Sequence, residues 1–185
     1  MFYREVILVV LLISQVVSAD TQVFSDGDEI FYVGGLTVEA NAKAFDLYDK
    51  SVNKPDTLSI TSLGGDIEVG MELGEWLVEK LLHVKVEDYC MSSCANYIFP
   101  AGVKKYIGNK ALVAFHGGAH SESFVSNDES TLASFPEDKR ASVKKAMDEA
   151  LRIHREKTGK RETDFYKKNR RIKIYKHPWS IGRIQ

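Results

Sequence analysis

Several things are scarce in this sequence, and each scarcity excludes something. Only two cysteines occur, Cys90 and Cys94. One C-x-x-x-C pair cannot supply the four ligands of a structural zinc site, so no metal is expected there. A disulfide and a pair of buried small residues at a strand-to-helix junction both stay open for it. No G-x-x-x-x-G-K-[ST] loop is present, which excludes a built-in ATPase of that type. Neither sign of charge is in surplus: 25 Lys and Arg face 26 Asp and Glu, for a net charge of −1. Such a balance gives no field directed at nucleic acid. Internal repeats and low-complexity tracts are missing, and the apolar run Val6–Ile13 is too short to cross a bilayer comfortably.

What is present reads as one ordinary folded domain, 44% hydrophobic and 28% charged. With 185 residues the chain is long enough to bury a core without disulfides or metals. Arg4 precedes the apolar run, and Val17-Ser18-Ala19 closes it with small residues where a signal peptidase reads. Residues 1–19 therefore read as a secretory signal cleaved after Ala19, which predicts an exported, periplasmic or secreted protein. Glu5 offsets Arg4, so an uncleaved anchor is the alternative. At the other end, residues 165–185 hold seven Lys or Arg and no acid. This basic tail suits contact with an anionic membrane surface or a partner, against the plainer reading of a solvated, frayed end.

Between these segments, 20–164 alternates strand and helix patterns. Ile30-Phe31-Tyr32-Val33 predicts a buried strand, closed by Gly34-Gly35. Val38, Ala42, Phe45 and Tyr48 recur at helical spacing up to about Lys50. Thr57–Ser62 is a second strand, ending at Leu63-Gly64-Gly65-Asp66. Ile67, Gly70, Met71, Gly74, Leu77, Val78 and Leu81 then mark the clearest helix, with Asp66 as its cap and Trp76 as packing. Val84–Glu87 runs as a strand into Tyr89–Ser93, Ser93–Ala101 is a short buried helix, and Leu112–Phe115 is a strand that stops at His116. Residues 117–134 read as a loop. Ser134-x-x-Glu137 looks like a capping box, and Val143, Met147, Ala150 and His154 mark an amphipathic helix over 136–158 that should stop at Gly159. The alternation implies an α/β fold with mostly parallel strands.

Two junctions carry chemistry. Gly64-Gly65 lets the backbone approach a ligand closely, and its N–H groups lie near a helix start that favours negative charge. An oxyanion hole needs such donors, although Gly-Gly before a helix is more often just a turn. Cys90-Met91-Ser92-Ser93-Cys94 puts serines at the start of an apolar helix, where a plain N-cap would look the same. A serine needs a base to act as a nucleophile. His116, ending a strand before Gly117-Gly118, is the candidate, and ligands in open α/β sheets bind at such strand ends. His83, His120, His154 and His177 have no evident role. A metal held by His116 and His120 lacks a supporting carboxylate cluster.

From Ile30 to Gly118 the chain resembles the proteolytic subunit of Clp protease and its exported relatives, within the Clp-protease/crotonase superfamily. Ile60-Thr61-Ser62-Leu63-Gly64-Gly65-Asp66 is similar to the family's strand and Ser-Pro-Gly-Gly turn, with Leu63 in place of the proline. Ser93-Cys94-Ala95-Asn96-Tyr97-Ile98-Phe99-Pro100-Ala101-Gly102 is similar to its nucleophile helix, and Phe115-His116 to its strand-end histidine. The resemblance implies stacked β-β-α units, Ser93 as nucleophile, His116 as general base, and the amides of Gly65 and Cys94 as oxyanion donors, with Gly64 shaping the turn. Ser92 is the rival nucleophile, since a slip of one residue exchanges the two. Asp164 lies at a plausible family distance for the third member of a triad, though an exposed carboxylate is the default in so charged a segment.

These residues predict a serine-type peptidase without cofactor, acting on small or unfolded peptides as a homo-oligomer, with helix 136–158 in the place of the family's assembly segment. A binding or assembly module that has lost turnover is the alternative. Acyl-thioester chemistry of the crotonase kind ranks last, because an exported protein has little access to coenzyme A.

Overall fold

A computed structural model describes residues 20–118 and 132–169, the side chain of His154 excepted. The expected signal, His120 with most of the loop expected over 117–134, and the tail beyond Asn169 with His177 and Trp179 lie outside the described residues.

The chain builds a mixed α/β fold on a six-stranded, mostly parallel sheet. Strand β1 (Gln22–Asp26) pairs antiparallel with β2 (Glu29–Val33) across a turn at Gly27, whose φ is +59°. From there β2, β3 (Thr57–Ser62) and β4 (His83–Met91) run parallel, joined by helix α1 (Val38–Lys50) and helix α2 (Ile67–Lys80). The nine-residue β4 then serves two partners on one edge. Its first half pairs with β5 (Lys105–Ile107) and its last residues with β6 (Leu112–Ala114). Neither β1 nor β5 is foreseen from the sequence: only Val23 of β1 is buried, and β5 is three residues long.

Central strand β3 is buried at every residue, flanked by β2 on one edge and β4 on the other. Its hydroxyls are satisfied locally: Ser59 donates to Glu29, Thr57 to Asp56, and Ser62 accepts from the Gly64 amide. In α1 the buried stripe is Ala40, Asn41 and Ala44, with Phe45, Leu47 and Tyr48 packed beside it. Val38 and Ala42, expected on that face, are exposed. Thr37 caps this helix by accepting from the Ala40 amide at 3.1 Å. Asp66 caps α2 as expected, accepting from the amides of Glu68 and Val69 at 2.8 and 3.2 Å. Trp76 packs against Phe45 and Tyr48. Leu81 departs from the expected buried face, being the left-handed C-cap and 53% exposed.

The last helix differs most from expectation. α3 runs Glu137–Lys168, with Pro136 rather than Ser134 at its N-cap. Gly159 does not stop it. Thr158, Glu162, Phe165 and Asn169 repeat at helical spacing and are all buried, so packing of this half overrides the glycine. It docks onto α2, where Arg161 spans Glu68 and Glu75 at 3.2 and 3.1 Å. Its first half stays largely exposed, with Val143, Met147 and Leu151 half-buried.

Docking depends on Gly74. A Cβ there would lie 2.5 Å from the Tyr97 carbonyl oxygen and 3.1 Å from the Phe165 ring. In an exposed helix, Gly→Ala stabilises by about 1 kcal/mol. Here Gly74→Ala should instead destabilise by roughly 1–3 kcal/mol, because the close contact is backbone and overpacked cores yield little. A urea titration of both proteins checks the sign.

Candidate active site

Three strand ends converge. At the end of β3, the Ser62 hydroxyl accepts from the Gly64 amide at 3.0 Å, so the turn is held although Leu63 stands where a proline is expected. Gly64 has φ +96°. A Cβ on it would lie 2.7 Å from the Cβ of Ser92 and 2.8 Å from the Met91 carbonyl oxygen. Both the backbone angle and the close approach therefore require glycine.

At the end of β4 the chain turns sharply at Ser92, whose φ is +55°. The Ser92 amide donates to Ala114 of β6 at 3.1 Å, and its carbonyl accepts from Asn96 at 2.9 Å, which opens the π-helical turn Cys94–Ile98. A disulfide joins Cys90 to Cys94 and brackets the turn, deciding between the readings left open for the two cysteines. Left-handed backbone at Ser92 throws its side chain toward β6, where Oγ lies 2.6 Å from Nε2 of His116. Ser93 is the serine favoured by register, but it is not the one beside the histidine. It already belongs to the helical turn, is 2% exposed, and donates to the Gly65 carbonyl at 2.8 Å.

His116 follows β6, and its Nδ1 lies 2.9 Å from the Gly117 carbonyl oxygen. A carbonyl only accepts, so Nδ1 carries the ring proton and Nε2 is left to accept from Ser92. Asp164, expected to orient this ring, does not do so. Its neighbours Glu162 and Phe165 point inward, which turns Asp164 to the exposed side of α3. The buried carboxylate on this segment is Glu162. It accepts from Tyr97 Oη at 2.7 Å and lies directly against the backbone of Gly118. Burial above all, and then the Glu162 charge, pushes the Tyr97 phenol up, so it stays a neutral donor. Asn96 completes the surroundings, its Nδ2 3.4 Å from the His116 carbonyl oxygen and 3.3 Å from that of Gly117.

A cavity of about 280 Å³ opens over Ser92 and His116, walled by Gly65, Ile67, Ser93 and Thr158 among others. Cys94 is fully buried, and its amide lies one residue beyond the one that follows Ser92. His83 packs edge-on to Tyr106. Among the described residues no group of three His, Cys, Asp or Glu is placed to hold a metal, and no helix is long and apolar enough to cross a membrane. Sequence reading missed Asn96, Thr158 and Glu162. Asn96 had a signal, since four residues on from Ser92 is the same helical face. Glu162 lies on the continuation of α3 past Gly159, and Thr158 on the last turn before it.

Two outcomes follow from this geometry. Replacing the disulfide with Cys90→Ala/Cys94→Ala should lower stability by about 2 kcal/mol, the loop-closure value for so short a loop, as read by urea unfolding. Tyr97 has a higher pKa in the folded protein than in the unfolded chain, so its contribution is intact below about pH 10 and lost as pH rises further. Tyr97→Phe should therefore lose about 1 kcal/mol at neutral pH and show a shallower fall above about pH 10, measured as unfolding midpoints across that range. No protein-family model matches the chain, and no curated protein matches it.

Proposed function

We propose that this chain is a serine hydrolase of the Clp-protease type, cleaving peptide bonds through an acyl-enzyme on Ser92. The observation that carries the reading is the 2.6 Å contact between Ser92 Oγ and His116 Nε2, made at a left-handed turn facing a cavity. Ser92 Oγ attacks the peptide carbonyl carbon while its proton passes to His116 Nε2. The C–N bond then breaks as Nε2 returns that proton to the leaving amine. Water, deprotonated by the same nitrogen, releases the acyl group and restores Ser92. Ser93 occupies the helix position whose amide lacks an intrahelical acceptor, and with Gly65 it supplies the oxyanion donors in place of Cys94.

The order of the strand-end motifs along the sheet supports kinship with the Clp-protease/crotonase fold, and the Cys90–Cys94 disulfide supports an exported location. The substrate is a small or unfolded peptide, since no unfolding motor is encoded in this chain. One observation favours a further role in assembly: the first half of α3 is largely exposed, with Val143, Met147 and Leu151 only half-buried, and it suits contact with a second copy of the chain.

A fluorophosphonate probe tests the chemistry. Wild type and Ser93→Ala should label, while Ser92→Ala and His116→Ala should not. Folded wild type that never labels removes the hydrolase reading, and labelling kept in Ser92→Ala but lost in Ser93→Ala returns the nucleophile to Ser93.

A further inference from the structure

We propose that Asn96 is the positioning residue for His116, holding the Gly117 carbonyl that stands where an orienting carboxylate would. This rests on the Ser92–His116 reading above. His116 has a backbone carbonyl, that of Gly117, at its Nδ1. Such a carbonyl orients the ring only as well as it is itself held. It has two lone pairs: one faces Nδ1–H, and the other lies 3.3 Å from Asn96 Nδ2. The same amide reaches the His116 carbonyl oxygen at 3.4 Å, so it holds the peptide planes on both sides of Gly117 Cα.

Asn96 is fixed in turn from the nucleophile's side. Its backbone amide donates to Ser92 at 2.9 Å, and its carbonyl accepts from Tyr166 Oη at 3.0 Å. One residue therefore couples the turn bearing Ser92 to the segment bearing His116, with α3 behind it. At 8% exposure a primary amide would be costly to bury without partners, and its amide nitrogen is directed at the two carbonyls next to the base. The Gly117 carbonyl is neutral, so this support acts by holding the tautomer and the ring plane rather than by offsetting imidazolium charge. The direction of the Asn96 side chain is what assigns it.

The test uses the purified oxidised protein and two readouts: ¹⁵N shifts of the His116 ring, and the rate of fluorophosphonate labelling. Asn96→Leu fills the space without the donor. It should convert the single Nδ1–H tautomer into a mixture and slow labelling about 100-fold, with the probe concentration at half-maximal rate little changed. Asn96→Ala, which serves if the leucine variant does not fold, should do the same. A variant that keeps the wild-type ring shifts and labels within about twofold of wild type overturns the proposal. Wild type that does not label through Ser92 defeats the Ser92–His116 reading instead, and the ring shifts still decide the role of Asn96.

Discussion

Everything at the site depends on the backbone at Ser92. A residue with a Cβ held at φ +55° costs on the order of 1–3 kcal/mol, and such a conformation persists only where its surroundings over-determine it. Three constraints do so here. Gly64 packs against Ser92 from the neighbouring strand end, closer than any other residue type would allow. The Ser92 amide is drawn to Ala114 of β6. The Cys90–Cys94 disulfide ties the strand before the turn to the helical turn after it.

The second layer of support comes from the far end of the chain. α3 reaches the site because Gly70 and Gly74 leave α2 without side chains where Ser93, Tyr97 and Phe165 must approach. Once docked, α3 contributes Thr158 to the cavity wall and Glu162 to the back of the Gly117-Gly118 segment. A buried carboxylate is tolerated when it is hydrogen-bonded, and the raised pKa of Tyr97 keeps its donor present. Packing and polar satisfaction thus act on the same few residues.

Much of this was legible in the sequence, for physical reasons that can be named. β2, β3, β4 and β6 announce themselves as short apolar or β-branched runs, and α2 as a helix with Asp66 at its start. The site's location was legible too, because glycines, serines and a histidine at successive strand ends are local signals. The one-residue choice between Ser92 and Ser93 was not. It turns on where left-handed backbone gives way to helix, and two adjacent serines look alike at a turn. The stop expected at Gly159 failed because a glycine ends a helix only where nothing packs beyond it, and Phe165 does pack. Asp164 failed with it: once α3 continues, helical rotation decides which acid faces inward, and it selects Glu162.

The divided edge of β4 has a further consequence. The strand belongs to the scaffold along its first half and to the site along its last residues, where the edge away from β3 is bound by the three residues of β6. Opening that short ladder would carry His116 away from Ser92 while β1 to β5 and their helices kept their hydrogen bonds. Loss of the Ser92–His116 contact and loss of the fold are then separate events, with separate free energies. A population of this protein can be folded by every spectroscopic measure and yet hold a fraction of molecules in which His116 is out of reach of Ser92.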